Sequence, residues 1–198
     1  MEKIWLPHYE AGIPAHIDPD EFPSLDAMFA ESVRRYRDRT AFLCMGAKLS
    51  YGELDTLVQD FAAWLQDVLH LPRGERVAIM LPNVLQYPVC VLGALRGGYI
   101  VVNCNPLYKP RELQFQLADS GARVIVILEN FAHTLASIIK ETPVETVVIA
   151  RLGDLLGYRR LPVNFVIKYL QRLIPAWDLP NAIGFREVIA QGQKAAFQ

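Results

Sequence analysis

The sequence lacks a surplus of either charge. Its 20 Lys and Arg residues nearly balance its 21 Asp and Glu residues, which leaves a net charge of −1. Because proteins that bind nucleic acid present a basic surface, this balance argues against a nucleic-acid partner. Hydrophobic residues make up 52% of the chain, so the composition indicates a well-packed globular protein and not a disordered one.

Cysteine and histidine are also scarce. The three cysteines, an odd number, lie within apolar runs at Cys44, Cys90 and Cys104, which is typical of buried, reduced thiols and predicts a cytoplasmic protein. The four histidines lack the spacing of metal ligands, so no metal site is predicted. The opening residues MEKIWLPHYEAG lack the uninterrupted apolar core of a signal peptide.

No apolar run is long enough to suggest a membrane span. The nearest candidate, residues 84–102, is nearly uncharged, but Arg96, Gly97 and Gly98 interrupt it and its second half is β-branched. A buried helix followed by a buried strand fits this pattern better than a transmembrane helix does.

Residues 1–48 are predicted to form an N-terminal arm, a helix and a small hairpin. Apolar residues recur at helical spacing over 24–37 behind Ser24, a favourable N-cap. The segments 40–44 and 48–50 flank Met45-Gly46-Ala47, which suggests two paired strands. The sequence SYGE at 50–53 is a capping box that should begin the next helix.

Residues 49–150 are predicted to form a parallel α/β core. Apolar strands at 76–81, 99–103, 123–128 and 146–150 alternate with helices, which include 84–96 and a helix over 110–120 that should stop at Gly121. Asn83 and Asn130 are the predicted caps of the helices that follow them. The alternation predicts a mostly parallel sheet flanked by helices in a three-layer α/β fold. Residues 151–198 are predicted to be an amphipathic, connecting segment.

Polar residues follow two of these strands. Because ligands of parallel sheets gather beyond the carboxyl ends of the strands, Asn83, Asn103, Asn105 and Tyr108 are candidates for lining a cleft. Turn chemistry is the alternative, since Asn side chains bond to backbone in turns and Asn-Pro favours turn initiation. The sequence alone leaves both interpretations open.

Familiar catalytic and phosphate-binding motifs are missing. The chain contains neither G-x-G-x-x-G nor G-x-x-x-x-G-K-[ST]. Asp18, Asp20 and Glu21 cluster between Pro19 and Pro23, a pattern more typical of a solvated loop than of an acid/base pair. No catalytic residue is therefore assigned within this chain.

Residues 158–177 combine a basic and an apolar side. Pro162 can begin a helix that Pro175 must end, and no acidic residue occurs between Leu155 and Trp177. One interpretation is a peripheral membrane contact, with candidate residues Arg159, Arg160, Phe165, Lys168, Tyr169, Arg172 and Trp177. The other is an amphipathic helix packed on the sheet with its basic side solvated.

Several segments in a fixed order resemble the N-terminal part of the acyl-adenylate-forming superfamily. They are LSYGELD (49–55), RVAIMLPN (76–83), GALRGGYIVVNCNPLYKPREL (93–113) and NFVIKYLQRLIP (164–175). Together they are most similar to bacterial long-chain fatty acid–CoA ligases, over essentially the whole chain. Lys109 stands where such relatives often place a capping threonine, and Gly97 where they often have alanine.

The resemblance implies a two-step ligase reaction for a parent enzyme. A fatty acid would attack ATP, with Mg²⁺ on the phosphates, to give acyl-AMP and pyrophosphate, and coenzyme A would then displace AMP. The family's phosphate loop and C-terminal lysine are not found in this sequence, so the chain resembles the first subdomain, is expected to be inactive alone and is expected to hold no bound cofactor. Implied partners are a long-chain fatty acid, the remaining subdomains and a second copy in a homodimer. The alternative is a stand-alone α/β binding or assembly module without catalysis.

Overall fold

The computed structural model describes residues 3–157, 160–166 and 174–195. Its helices and strands, in chain order, are α1 Leu25–Tyr36, β1 Thr40–Cys44, β2 Ala47–Ser50, α2 Tyr51–Ala63, β3 Arg76–Met80, α3 Gln86–Arg96, β4 Ile100–Asn103, α4 Pro110–Ser120, β5 Val124–Leu128, α5 Ala132–Ala136, β6 Thr146–Ala150, α6 Arg160–Phe165, β7 Ile183–Gly184 and α7 Phe185–Gly192.

Five strands form one sheet in the order β4-β3-β5-β6-β7, and every pairing in it is parallel. The four strands predicted between 76 and 150 are confirmed, whereas β7, which pairs with Val148 and Ile149, was not predicted. The chain passes from β3 to β4 on one side and then returns to β5 on the other side of β3. This reversal of strand order is the kind of position where open parallel sheets bind ligands, outside the carboxyl ends of the strands.

The sheet is buried on both faces. In β3, Val77 and Ile79 belong to one core, which α1, α2, α3 and α7 cover. Ala78 and Met80 belong to a second core, which α4 and α5 cover. Since alternate residues of a strand point to opposite faces, the two cores explain why these strands are apolar throughout. The three-layer α/β prediction is confirmed.

Local capping signals place several helix ends as predicted. The Ser24 hydroxyl accepts a hydrogen bond from the Ala27 amide at 3.1 Å. At the start of α2, the Glu53 amide donates to the Ser50 hydroxyl at 3.2 Å, and the Ser50 amide donates to the Glu53 carboxylate at 2.8 Å. Gly121 ends α4 with a left-handed φ of 66°, which suits glycine.

Two predicted caps are wrong. The N-cap of α3 is Leu85 and that of α5 is Phe131, and neither provides a side-chain cap. After β3 the chain first makes a turn in which the Val84 amide donates to the Pro82 carbonyl, and after β5 it forms a short 3-10 helix over Glu129–Phe131. Because of these extra turns, Asn83 lies two residues before the N-cap of α3, and Asn130 lies one residue before the N-cap of α5.

The apolar run 84–102 forms α3 and β4, as predicted. No residue of α3 is exposed, and Pro88, Val89 and Cys90 are buried. Within the part of the chain that the structure describes, no helix has the length and apolar character needed to span a bilayer.

Candidate functional site at the carboxyl edge of the sheet

At the end of β4, two asparagines organise the backbone and the neighbouring helix. The Asn105 side-chain oxygen accepts a hydrogen bond from the Leu107 amide at 3.0 Å, which is the geometry of an Asx turn. The Asn103 side-chain oxygen accepts from the Tyr87 hydroxyl at 3.2 Å. Asn105 therefore carries the predicted turn chemistry, and Asn103 links β4 to α3.

Asn83 and Tyr108, the other two residues predicted to line a cleft, differ in exposure. Asn83 is exposed in the turn after β3, whereas Tyr108 is half-buried and packs against the second core. None of the four lines the large cleft described next. A role for them in lining a ligand cleft stays a prediction.

A cleft of about 920 Å³ lies at the carboxyl ends of β5, β6 and β7, and we call it the carboxyl-edge cleft. Its walls come from the ends of these strands, from α6 and from the start of α7. The lining residues are Glu129, Ile149, Arg151, Asp154, Leu161, Pro162, Asn164, Phe165, Gly184, Phe185, Arg186 and Glu187.

A buried carboxylate lies at the polar side of the cleft. The Glu129 side chain is only 4% exposed, and one of its oxygens lies 3.1 Å from Arg151 Nε. Because a buried charge is costly unless it is paired, the contact with Arg151 compensates for the burial of the Glu129 carboxylate. Arg151 itself is 51% exposed, so its guanidinium spans the boundary between the core and the cleft.

Asp154 fixes the loop that follows β6. Its carboxylate accepts a hydrogen bond from the Arg151 amide at 2.8 Å, and its own amide donates to the Arg151 carbonyl at 3.0 Å. Burial raises the pKa of the Asp154 carboxyl, against the opposing effects of the bond from the Arg151 amide and of the charges on Arg151 and Arg186.

Gln86 connects this loop to the start of α3. Its side chain is fully buried, and its Nε2 donates to the Arg151 carbonyl at 2.7 Å. This bond sets the orientation of the Gln86 side-chain amide, because a flipped amide would place its Oε1 atom against the Arg151 carbonyl oxygen, and both are acceptors. The Oε1 atom then has no hydrogen-bond partner among the described residues.

Sequence reasoning missed Gln86, Glu129, Arg151 and Asp154. Glu129 and Arg151 directly follow the buried strands VIVIL and TVVIA, and a charged residue at such a position could have been noticed. Nothing in the local pattern of α3 distinguishes Gln86, whose importance depends on a contact with a residue 65 positions away.

The predicted membrane-contact segment is only partly described. On α6, Leu161 and Phe165 are 68% and 55% exposed. Trp177 is half-buried and packs against the second core. The side chain of Arg160 and the residues Arg159, Lys168, Tyr169 and Arg172 lie outside what the structure describes.

The described residues do not fit the cofactors that the resemblance implies. Over residues 3–157, 160–166 and 174–195, no group of His, Cys, Asp or Glu side chains could hold a metal ion. The full sequence contains no glycine-rich phosphate loop. The site offers an apolar wall and a buried ion pair between Glu129 and Arg151.

The sequence matches known proteins along its whole length. The model of the family described as AMP-binding enzyme matches residues 29–175. A long-chain-fatty-acid–CoA ligase of Yersinia pestis is 50% identical over 198 residues, which are 100% of this chain and 35% of that protein. The ligase of the same description from Bacillus subtilis is 33% identical over 171 residues, covering 86% of this chain and 30% of that protein. The chain thus spans about a third of the length of these relatives.

Solved structures share the fold. A long-chain-fatty-acid-CoA ligase from Archaeoglobus fulgidus has a TM-score of 0.65 at 18% identity, covering 96% of this chain and 33% of that one. A benzoate CoA ligase from Burkholderia xenovorans LB400 has a TM-score of 0.64 at 20% identity, covering 83% of this chain and 28% of that one. At such identities, these similarities establish the architecture alone.

Proposed function

Because the chain belongs to the family of AMP-binding enzymes, we propose that it is the first subdomain of an AMP-forming long-chain fatty acid–CoA ligase. The observation that carries the proposal is the identity of 50% over all 198 residues to a ligase of that description. The parent enzyme would convert a long-chain fatty acid, ATP and coenzyme A to acyl-CoA, AMP and pyrophosphate through acyl-AMP.

Within that enzyme, this chain would supply the scaffold and not the phosphate chemistry. Its sheet presents the carboxyl ends of β3 to β7 on one edge, and its polar network of Gln86, Glu129 and Arg151 holds the loops there. ATP, Mg²⁺ and coenzyme A would be held by other parts of the parent enzyme, since the described residues lack a metal-binding group and the sequence lacks a phosphate loop.

A pyrophosphate-release assay tests whether the phosphate chemistry belongs to other parts of the parent enzyme. The 198-residue chain, supplied with ATP, Mg²⁺ and a long-chain fatty acid, should release no pyrophosphate above the background without enzyme. A full-length relative assayed in parallel serves as the positive control. Turnover by the chain near that of the control, surviving repurification, would overturn the assignment of the chemistry to other subdomains.

A peripheral membrane contact through residues 158–177 is a second part of the proposal. The exposure of Leu161 and Phe165 on α6 supports it, because a helix packed fully on the sheet would cover its apolar side chains. Each basic residue near an anionic surface would contribute about 1 kcal/mol, weakened by salt.

Vesicle binding by the full-length enzyme tests the membrane contact. Lys168→Glu with Arg172→Glu should weaken binding to anionic vesicles at low salt. Lys48→Glu with Lys140→Glu, at two exposed positions elsewhere, should weaken it less. Equal binding by all three proteins, without salt dependence, would leave packing on the sheet as the role of this segment.

The stand-alone binding module is the weaker alternative, because such a module would need its own phosphate or ligand motif. Homodimerisation and a cytoplasmic location stay predictions for the parent enzyme.

A further inference from the structure

The outer face of α4 carries a basic, an aromatic and an acidic residue in that order. Arg111, Phe115 and Asp119 follow one another at intervals of four residues, so they form one line along the helix, which we call the α4 stripe, and all three are exposed. Leu113 and Leu117 are buried on the opposite side, in the second core. We propose that the α4 stripe is a contact surface between two copies of this chain, whose α4 helices pack antiparallel about a two-fold axis.

The order of residues makes the α4 stripe complementary to itself. A two-fold axis beside Phe115 places the ring of one copy against the same ring of the other. Because antiparallel helices bring together residues equally distant from the axis, Arg111 of each copy then faces Asp119 of the other. Two ion pairs flank one aromatic contact, and the same patch serves both copies, as a two-fold interface requires. The stripe is about 12 Å long, so a shallow crossing angle of about 20° keeps all three contacts.

The two charges of the α4 stripe have no favourable role within the chain itself. Neither Arg111 nor Asp119 takes part in an ion pair with another described residue. Arg111 lies in the first turn of α4 and Asp119 in its last turn. Both positions oppose the helix dipole, which favours acidic residues at the start of a helix and basic residues at its end. Ion pairs across a two-fold axis would use both charges.

Hydrogen bonds on both sides of Phe115 hold α4 in place. The Gln114 side-chain amide donates to the Glu141 carboxylate at 2.7 Å, and that of Gln116 donates to the Asn103 carbonyl at 2.9 Å. Phe115 lies between these two anchored residues and is 72% exposed. A ring presented by a fixed helix has little freedom to lose on association, and its contact with a second ring would remove apolar surface from water.

The size of the contact indicates a weak dimer. A stable interface of standard size buries roughly 800 Å² on each partner, which is more than three side chains of one helix supply. Exposed ion pairs contribute little affinity, so the aromatic contact should dominate and the charges should mainly fix the antiparallel orientation. We expect a dissociation constant on the order of 100 μM, as for interfaces below the standard size.

Sedimentation equilibrium of the 198-residue chain at increasing concentration tests the aromatic contact. Phe115→Ala should weaken self-association by about tenfold, because the central ring pair is lost. Leu43→Ala is the control, since this side chain is 65% exposed on β1, outside the α4 stripe, and the change should be less than about twofold. A chain that stays monomeric at about 1 mM, or equal losses in the two variants, would overturn the proposal.

Single charge reversals test the orientation of the two helices. Arg111→Asp alone, or Asp119→Arg alone, brings like charges together at both ends of the contact and should weaken association by about fivefold or more. Each reversal introduces a charge that the helix dipole favours, so α4 itself should stay folded, which circular dichroism checks. Lys140→Asp makes the same change in net charge as Arg111→Asp at an exposed position outside the α4 stripe, and it should have less than about a twofold effect.

Combining the two reversals provides the decisive comparison. The double variant Arg111→Asp with Asp119→Arg restores opposite charges across the axis, so its affinity should return to within about twofold of that of the original chain. For the same reason, a mixture of the two single variants should form heterodimers in preference to either homodimer. Losses that simply add in the double variant would overturn the proposal.

The same variants in a full-length enzyme carrying this chain show whether α4 is available there. The two single reversals should weaken dimer formation and the double variant should restore it. An association state that ignores all three variants would mean that another part of the enzyme covers α4, and it would overturn the proposal. The interface does not rest on the proposed ligase function, so its failure would leave that function untouched.

Discussion

The ring of Tyr99 occupies the space into which a Cβ atom on Gly97 would project. Tyr99 is only 3% exposed, and its hydroxyl donates to the Leu71 carbonyl at 2.9 Å, so the ring is held in place at both ends. Gly97 has a φ of −71°, which any residue can adopt. The requirement for glycine is therefore steric, and the two positions depend on each other.

Gly97→Ala should lower the free energy of unfolding by about 1–3 kcal/mol, as overpacking of a filled core does. Urea denaturation of the 198-residue chain measures it. Gly184→Ala is the control, since a Cβ atom there would meet no atom within 4 Å, and it should change stability by less than about 0.5 kcal/mol. Replacing Tyr99 by leucine in the Gly97→Ala protein should recover part of the loss, and a strictly additive double mutant would contradict the steric coupling.

Gly192 makes a closer approach, against the backbone of α2. A Cβ atom on Gly192 would collide with the carbonyl of Asp60, which cannot rotate away as a side chain can. Gly192→Ala should thus displace α7 and cost more than Gly97→Ala. The adjacent hydrogen bond from Trp64 Nε1 to the Gln191 side chain, at 3.0 Å, offers a reporter, because Trp64 is 1% exposed. A red shift of tryptophan emission is expected, and an unchanged spectrum with unchanged stability would contradict the close packing of α7 on α2.

Arg96 joins three helices through two ion pairs. Its guanidinium lies 2.9 Å from Asp26 of α1 and 2.8 Å from Asp55 of α2, and its side chain is 10% exposed. Arg96→Met should lower the free energy of unfolding by about 2–3 kcal/mol, somewhat less than for a wholly buried pair, because Asp26 and Asp55 keep some access to water. Thermal or urea unfolding measures the change.

The exposed pair of Arg34 and Glu31 is the control for Arg96. Their side chains are 75% and 39% exposed, so Arg34→Met should have little effect on stability. Equal effects of the two substitutions would contradict a special role for Arg96.

Lys109 leaves half of a capping box unmade. Its amide donates to the Glu112 carboxylate at 2.8 Å, but an ammonium group cannot accept the return bond from the Glu112 amide. Lys109→Thr should therefore raise the free energy of unfolding by about 0.5–1 kcal/mol. Lys109→Ala removes the same charge without adding an acceptor, so a gain equal to that of threonine would show that charge and not capping is responsible.

Elements with strong local signals could be predicted from the sequence. The four apolar strands and the Ser50–Glu53 capping box are encoded in consecutive residues, and the structure has them within one or two residues of the expected positions. By contrast, β7 has two residues, too few for a periodic pattern, and it forms only because β6 offers it an edge. Asn83 had the right chemistry for a cap but lies two residues before the N-cap, Leu85.

The candidate site was harder to predict, because its walls come from distant parts of the chain. The carboxyl-edge cleft draws its lining from Glu129 to Glu187, and no window of the sequence contains that set. Sequence reasoning put its candidate residues at the carboxyl ends of β3 and β4, and their role in lining a ligand cleft stays a prediction. The structure has a cleft of about 920 Å³ beside β5, β6 and β7.

Acyl-CoA formation by a chimera tests the central claim most directly. Residues 1–198 would be joined to the remaining two thirds of the Yersinia pestis ligase, with which this chain shares 50% identity over its full length. The account predicts ATP-dependent conversion of palmitate to palmitoyl-CoA by the chimera, and none by either part alone. A folded chimera that binds ATP but forms no acyl-AMP would contradict it.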